Sequence, residues 1–193
     1  FSDKISPDYS TNLQRFKKLN PGAITTLTNE EHEFKFQVEN SVVIDAIFGS
    51  GLNRTVQGFA ADVIRNINET HLEVISVDIP SGLFVQNNKD NKPNGIIRAS
   101  ITLSLELPKL SFLFVDNQEF VGEWIIIPIG LDHDFIERQQ SVNRYFLEQD
   151  VKGLIGSRAS FSHKGTFGHA LLAGGSRGMM GAAVLMAKGC LRS

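Results

Sequence analysis

The sequence predicts an α/β fold built on a parallel sheet, and three observations carry that prediction. Residues 41–48 form an apolar run, Val42, Val43, Ile44, Ala46, Ile47 and Phe48 broken only by Asp45, which stops at Gly49. Such a run without alternation marks a strand buried on both faces. Helical spacing follows at Val56, Phe59, Ala60, Val63, Ile64 and Ile67, and a second apolar run at 72–77 ends on Asp78. Strand, glycine loop, helix, strand is a βαβ unit, whose crossover is expected to be right-handed. The same opening order returns near the end, with a short strand at 169–173, a glycine loop at 174–178 and a small-residue helix at 179–191.

The remaining elements follow from the same periodicities. Tyr9, Leu13, Phe16 and Leu19 share one helical face, which is expected to pack on the sheet, and Asn20, Pro21 and Gly22 end that helix. Residues 30–39 are polar with some alternation and read as a surface excursion or an edge strand. Residues 86–94, rich in Asn and Lys, read as an exposed loop, and 99–107 and 123–129 as two further strands. The charged stretch 132–150 holds the linker, with a helix starting near Leu147. The domain reading is therefore 1–135, a linker at 136–150 and the beginning of a second fold at 151–193.

Composition removes several function classes. A net charge of −2 with interspersed signs gives no electrostatic ground for capturing nucleic acid or an anionic membrane, so an anionic ligand must be held locally. A single cysteine, Cys190, excludes an internal disulfide, and neither a signal peptide nor a bilayer-length apolar run is present. The expected compartment is the reducing cytoplasm. The chain opens on Phe1 and closes at Ser193 inside a helical pattern, so both ends read as cut.

In open α/β sheets ligands bind beyond the carboxyl ends of the strands, which makes Asp45 and Asp78 candidate site residues. A carboxylate inside an apolar strand needs a cation or hydrogen-bond donors; backbone N–H groups would suffice. Gly49, Ser50, Gly51, Leu52, Asn53, Arg54 and Thr55 lie between strand and helix. There glycine permits positive φ, backbone N–H groups and the helix dipole favour an anion, and Arg54 adds a charge. The same turn occurs in proteins that bind nothing, and the full dinucleotide fingerprint is missing. Asp78, Pro80 and Ser81 form a more specific group: an acid for proton transfer, a proline fixing the turn and a hydroxyl for a hard cation. A buried polar turn is its plainer reading. His163 and His169 lack partners at zinc-ligand spacing, and Met179, Met180 and Met186 read as core.

Six segments, in order, resemble the NAD(P)H-hydrate epimerase/dehydratase family, in which a YjeF-type domain precedes a ribokinase-like domain. They are Ser6-Pro7-Asp8, residues 43–52, residues 77–82, the closing strand at 122–131, residues 162–168 and residues 178–183. The resemblance implies the rear part of a Rossmann-like epimerase domain followed by the start of a ribokinase-like dehydratase domain. It further implies that Asp45 and Ser81 coordinate a potassium ion, and that Gly49 to Thr55 and Asp78 contact the hydrated nucleotide, NADHX or NADPHX. Ala183 matches a substrate-contacting position of the dehydratase. The implied chemistry is interconversion of the R and S hydrates, then dehydration of the S form at the expense of ADP, with magnesium. A homo-oligomer is compatible with it. Two family motifs are not in this sequence: the Asn- and Gly-rich loop before the epimerase segments and the later glycine-aspartate motif of the dehydratase. The rival readings are a noncatalytic YjeF-type scaffold binding nucleotide or RNA, and a small-molecule kinase of the ribokinase class.

Overall fold

The computed structural model describes residues 6–28, 41–154, 159–163 and 165–192. The chain divides into two compact units, Phe1–Gln139 and Gln140–Ser193. The expected excursion at 30–39 lies outside the described residues, as does Lys164 of the 162–168 segment.

The first unit runs α1 (Pro7–Leu19), β1 (Val42–Asp45), α2 (Phe59–Glu69), β2 (Glu73–Val77), β3 (Ile101–Leu105), α3 (Gln118–Val121), β4 (Glu123–Ile127) and α4 (His133–Arg138). Helix α1 begins where its signals place it: the Ser6 hydroxyl accepts from the Tyr9 N–H at 3.1 Å, Pro7 occupies the first turn, and Lys17 and Lys18 face the negative end of the dipole. Its apolar face is not covered. No α1 residue is buried, and Tyr9, Phe16 and Leu19 stay exposed, which departs from the expected docking on the sheet.

Strands β1 to β4 form one parallel sheet in sequential order. Register alternation assigns Val43, Asp45, Val74, Ser76, Thr102, Ser104, Trp124 and Ile126 to one face, and Val42, Ile44, Ile75, Val77, Ile101, Leu103, Leu105, Ile125 and Ile127 to the other. The first face is covered. Ala60, Val63, Ile64 and Ile67 of α2, spaced i, i+3, i+4, i+7, join Val56, Val74, Ile97 and Ala99 in one cluster, while Ile79, Leu83, Ile96, Phe112, Phe120 and Val121 form a second beside Trp124. Ile44 on the other face is 61% exposed, Val42 is exposed on the same strand, and Ile125 is exposed on β4 at the opposite edge. Among the described residues the run at 41–48 is thus an edge strand covered on one side, not a strand buried on both faces. The cause is topological: in a parallel sheet of sequential order, crossovers of one hand all return over the same face.

The second unit contains α5 (Glu148–Leu154) and α6 (Gly181–Arg192). Residues 169–173, read above as a strand, carry no ladder, because a strand needs a neighbour and the described residues of this unit offer none. No described residue of this unit is buried, so Met179, Met180 and Met186 are exposed rather than core.

Candidate functional site

The candidate residues of the first unit gather where β1 and β2 end. Asp45 closes β1 directly opposite Ser76 of β2, and both are buried. Its Oδ2 accepts from the Ser76 hydroxyl at 2.8 Å and the Ser81 N–H at 2.9 Å; its Oδ1 accepts from the Ser81 hydroxyl at 2.6 Å and the Ile47 N–H at 3.3 Å. Four donors fill the carboxylate's acceptor positions, so its burial carries no unmet polar demand. The Ser81 oxygen in turn accepts from the Phe48 N–H at 2.8 Å and lies 3.3 Å from the Phe48 carbonyl oxygen. Pro80 carries the chain between these groups, closing a turn in which the Leu83 N–H donates to its carbonyl at 3.0 Å.

Asp78, one residue beyond β2, sits in the left-handed region at φ 71, where a non-glycine residue is uncommon. Its Oδ2 accepts from the Ser50 N–H at 3.3 Å, which joins the acid to the glycine loop. Its Oδ1 pairs with the Lys109 ammonium at 2.7 Å. Burial alone would push the Asp78 carboxyl up, but the Lys109 hydrogen bond and charge, with the Ser50 N–H, hold it below the ordinary aspartate value. Lys109 was not among the candidates of the sequence reading. Its one signal is its place, two residues after the second acid-bearing turn that closes a parallel strand.

The loop itself departs from two expectations. Neither Gly49 nor Gly51 has positive φ, and neither is demanded by space, since a Cβ at Gly49 would make only ordinary contact, 3.8 Å from the Asp78 Oδ2, and one at Gly51 would meet nothing within 4 Å. Helix α2 starts at Phe59, after an N-cap at Gly58, so its positive end does not adjoin Thr55. Val56 is buried in the α2 cluster without being helical. Ser50, Asn53 and Arg54 are exposed, and Leu52 and Thr55 half-buried. Leu52 is packed against the first cluster, and its N–H closes the turn on the Gly49 carbonyl at 3.3 Å. The loop is therefore anchored at its apolar residue and open at its polar ones.

Ala183 belongs to the second unit, half-buried on α6, where a Cβ built at Gly175 would stand 3.5 Å from its methyl group. The small residues there serve a close approach between the 174–178 loop and the helix. A separate cavity of about 350 Å³ is lined by Arg65, Asn68, His71 and Arg98 among others, and none of the sequence-derived candidates lines it. Its arginines are paired, Arg65 with Asp62 and Arg98 with Glu119.

The family described as "YjeF-related protein N-terminus" matches residues 2–111. Similar curated proteins include the "Bifunctional NAD(P)H-hydrate repair enzyme Nnr" of Moorella thermoacetica, 30% identical over 99% of this chain, and that of Thermofilum pendens, 33% identical over 99%. The protein of the same name from Vibrio cholerae is 28% identical over 99%. This chain spans 36–37% of the length of these relatives.

Proposed function

Because this chain belongs to the YjeF-related protein N-terminus family, we propose that its first unit is the part of an NAD(P)H-hydrate epimerase that holds the hydrated nicotinamide nucleotide and moves its protons. The carrying observation is the meeting of the 49–55 loop with Asp78, Ser50 N–H to carboxylate, at the carboxyl ends of two adjacent parallel strands. The exposed backbone and side chains of Ser50, Gly51, Asn53 and Arg54 offer donors to a diphosphate, with Gly49, Leu52 and Thr55 shaping the turn beneath. Asp78, ionised beside Lys109, accepts and returns a proton at the hydrated ring.

Asp45, Ser81 and the Phe48 carbonyl bring hard oxygens together, the donor type potassium takes, and Asp45 and Ser81 are the residues that would hold it. A bound potassium would supply positive charge at these strand ends, held by the Asp45 carboxylate and the Ser81 hydroxyl oxygen. The second unit is the opening of the ADP- and magnesium-dependent dehydratase, with Ala183 against the S-hydrate. The relatives are named bifunctional NAD(P)H-hydrate repair enzymes, which supports two activities in one protein, and the reading extends to NADHX or NADPHX as substrates, to a cytoplasmic setting and to a homo-oligomer. Among the described residues no helix is long and apolar enough to cross a membrane.

The native protein, given pure R-hydrate of NADH or NADPH, is expected to produce the S-hydrate faster than the solution does, followed by chromatography of the two epimers. An interconversion rate no greater than the uncatalysed one rejects the reading.

A further inference from the structure

We propose that Lys109 is a positioning residue for Asp78, holding that carboxylate ionised and fixed against the 49–55 loop. The inference rests on the epimerase reading above and adds to it a residue that the sequence left unmarked.

Strands β2 and β3 end in the same way. The Ile79 N–H donates to the Val77 carbonyl at 2.9 Å, and the Leu107 N–H to the Leu105 carbonyl at 2.7 Å, so Asp78 and Glu106 stand at the centres of two three-residue turns, at φ 71 and φ 60. Turns of this kind with a left-handed centre are strained and rare. Two on neighbouring strands require groups that hold them. For the first, the Asp78 N–H reaches the Leu103 carbonyl at 2.8 Å and its carboxylate reaches Lys109.

Lys109 is no roaming surface cation. Besides Asp78 Oδ1 at 2.7 Å, its Nζ has the Ser104 hydroxyl at 3.3 Å, the Leu105 carbonyl at 3.2 Å and the Leu107 carbonyl at 3.1 Å. Four oxygens surround three N–H donors, and Ser104 is itself fixed by donating to the Leu107 carbonyl at 2.7 Å. The ammonium is thus moored to the turn after β3, and through it the β3 turn sets where the Asp78 carboxylate lies. The two side chains are 13% and 16% exposed, so solvent screens their attraction far less than that of a surface pair. The groups acting on the Asp78 carboxylate include this ammonium and both the N–H and the side chain of Ser50.

The test is a double-mutant cycle on the native protein, with kcat and KM for hydrate epimerisation measured for Lys109→Met, Asp78→Asn and the pair. Lys109→Met is expected to lower kcat at least tenfold with KM within about twofold, and to cost nothing further in the Asp78→Asn background; Lys109→Arg is expected to recover much of the loss. A full Lys109→Met loss persisting in the Asp78→Asn background, or an unchanged kcat in the single variant, overturns the proposal. If no variant and not even the native protein epimerises, the epimerase reading has failed and Lys109 is judged separately. The Asp78 carboxyl carbon is then titrated by NMR in the native protein and in Lys109→Arg and Lys109→Met. An upward move of the midpoint in Lys109→Met, restored in Lys109→Arg, sustains the positioning role; identical midpoints refute it.

Discussion

Asp78→Asn keeps the volume of the side chain and removes its charge, so packing is spared while proton transfer is lost. Epimerisation in the native protein is expected to fall by about a hundredfold or more, while the loss of charge opposite the largely buried Lys109 ammonium lowers the melting temperature without unfolding the protein. A folded variant with the parent's rate would remove Asp78 from the chemistry. Asp45 behaves differently, because its carboxylate serves four donors inside the fold. Asp45→Ala strands two buried hydroxyls and two N–H groups and is expected to cost about 3 kcal/mol or more. The same variant tests the ion: potassium is expected to raise the parent's melting temperature, and to do so much less in Asp45→Ala. An undiminished potassium response would place the ion elsewhere.

Among the elements, the turns at strand ends carry the least tolerance. Gly122, between α3 and β4, has φ 60, and a Cβ there would overlap the Ser100 and Ala99 carbonyls. Gly122→Ala is expected to destabilise the first unit by about 2 kcal/mol or more, read as a lower denaturant midpoint. An unmoved midpoint would mean that the β3 entry yields more easily than its hydrogen bonds imply. At the other end of β3, Glu106 Oε2 accepts from the Ile129 N–H at 2.8 Å and the Leu131 N–H at 3.2 Å, and these bonds hold its carboxyl below the ordinary glutamate value. A lowered folded value means that the clasp is complete above the unfolded value of about 4.3 and is lost as pH falls through the folded one. Glu106→Gln is accordingly expected to speed amide exchange at Ile129 and Leu131 at neutral pH, and equal protection would show that the clasp is idle.

For the molecule as a whole, the open sheet face governs behaviour in solution. Val42 and Ile44 on β1 and Ile125 and Ile127 on β4 are exposed at the two edges of this face, with half-buried Ile75, Ile101 and Leu103 between them, on a sheet type that is ordinarily covered on both sides. This chain on its own is expected to bind an apolar dye and to self-associate with rising concentration. Ile44→Thr with Ile127→Thr should weaken both effects; light scattering unchanged by the pair would locate the association elsewhere. The second unit adds Val184, Leu185 and Leu191, all exposed on α6.

The sequence by itself determined the class of fold, the parallel strands and the face of α2, because periodicity and apolar runs are local properties of a chain. It also placed Asp45, Asp78 and Ser81 at strand ends, since strand ends are marked by the glycine and proline that follow. It gave no sign of what pairs with what. Lys109 lies 31 positions from Asp78, and only the adjacency of β2 and β3 brings its ammonium to the carboxylate. Likewise three of the four donors that satisfy Asp45 come from Ser76 on β2 and from Ser81 in the turn after it, a matter of strand register, and only the Ile47 N–H is a near neighbour in the chain. The uncovered face of the sheet was settled by strand order: a run of apolar residues records a preference for burial, and only the sequence of crossovers decides which side receives the cover.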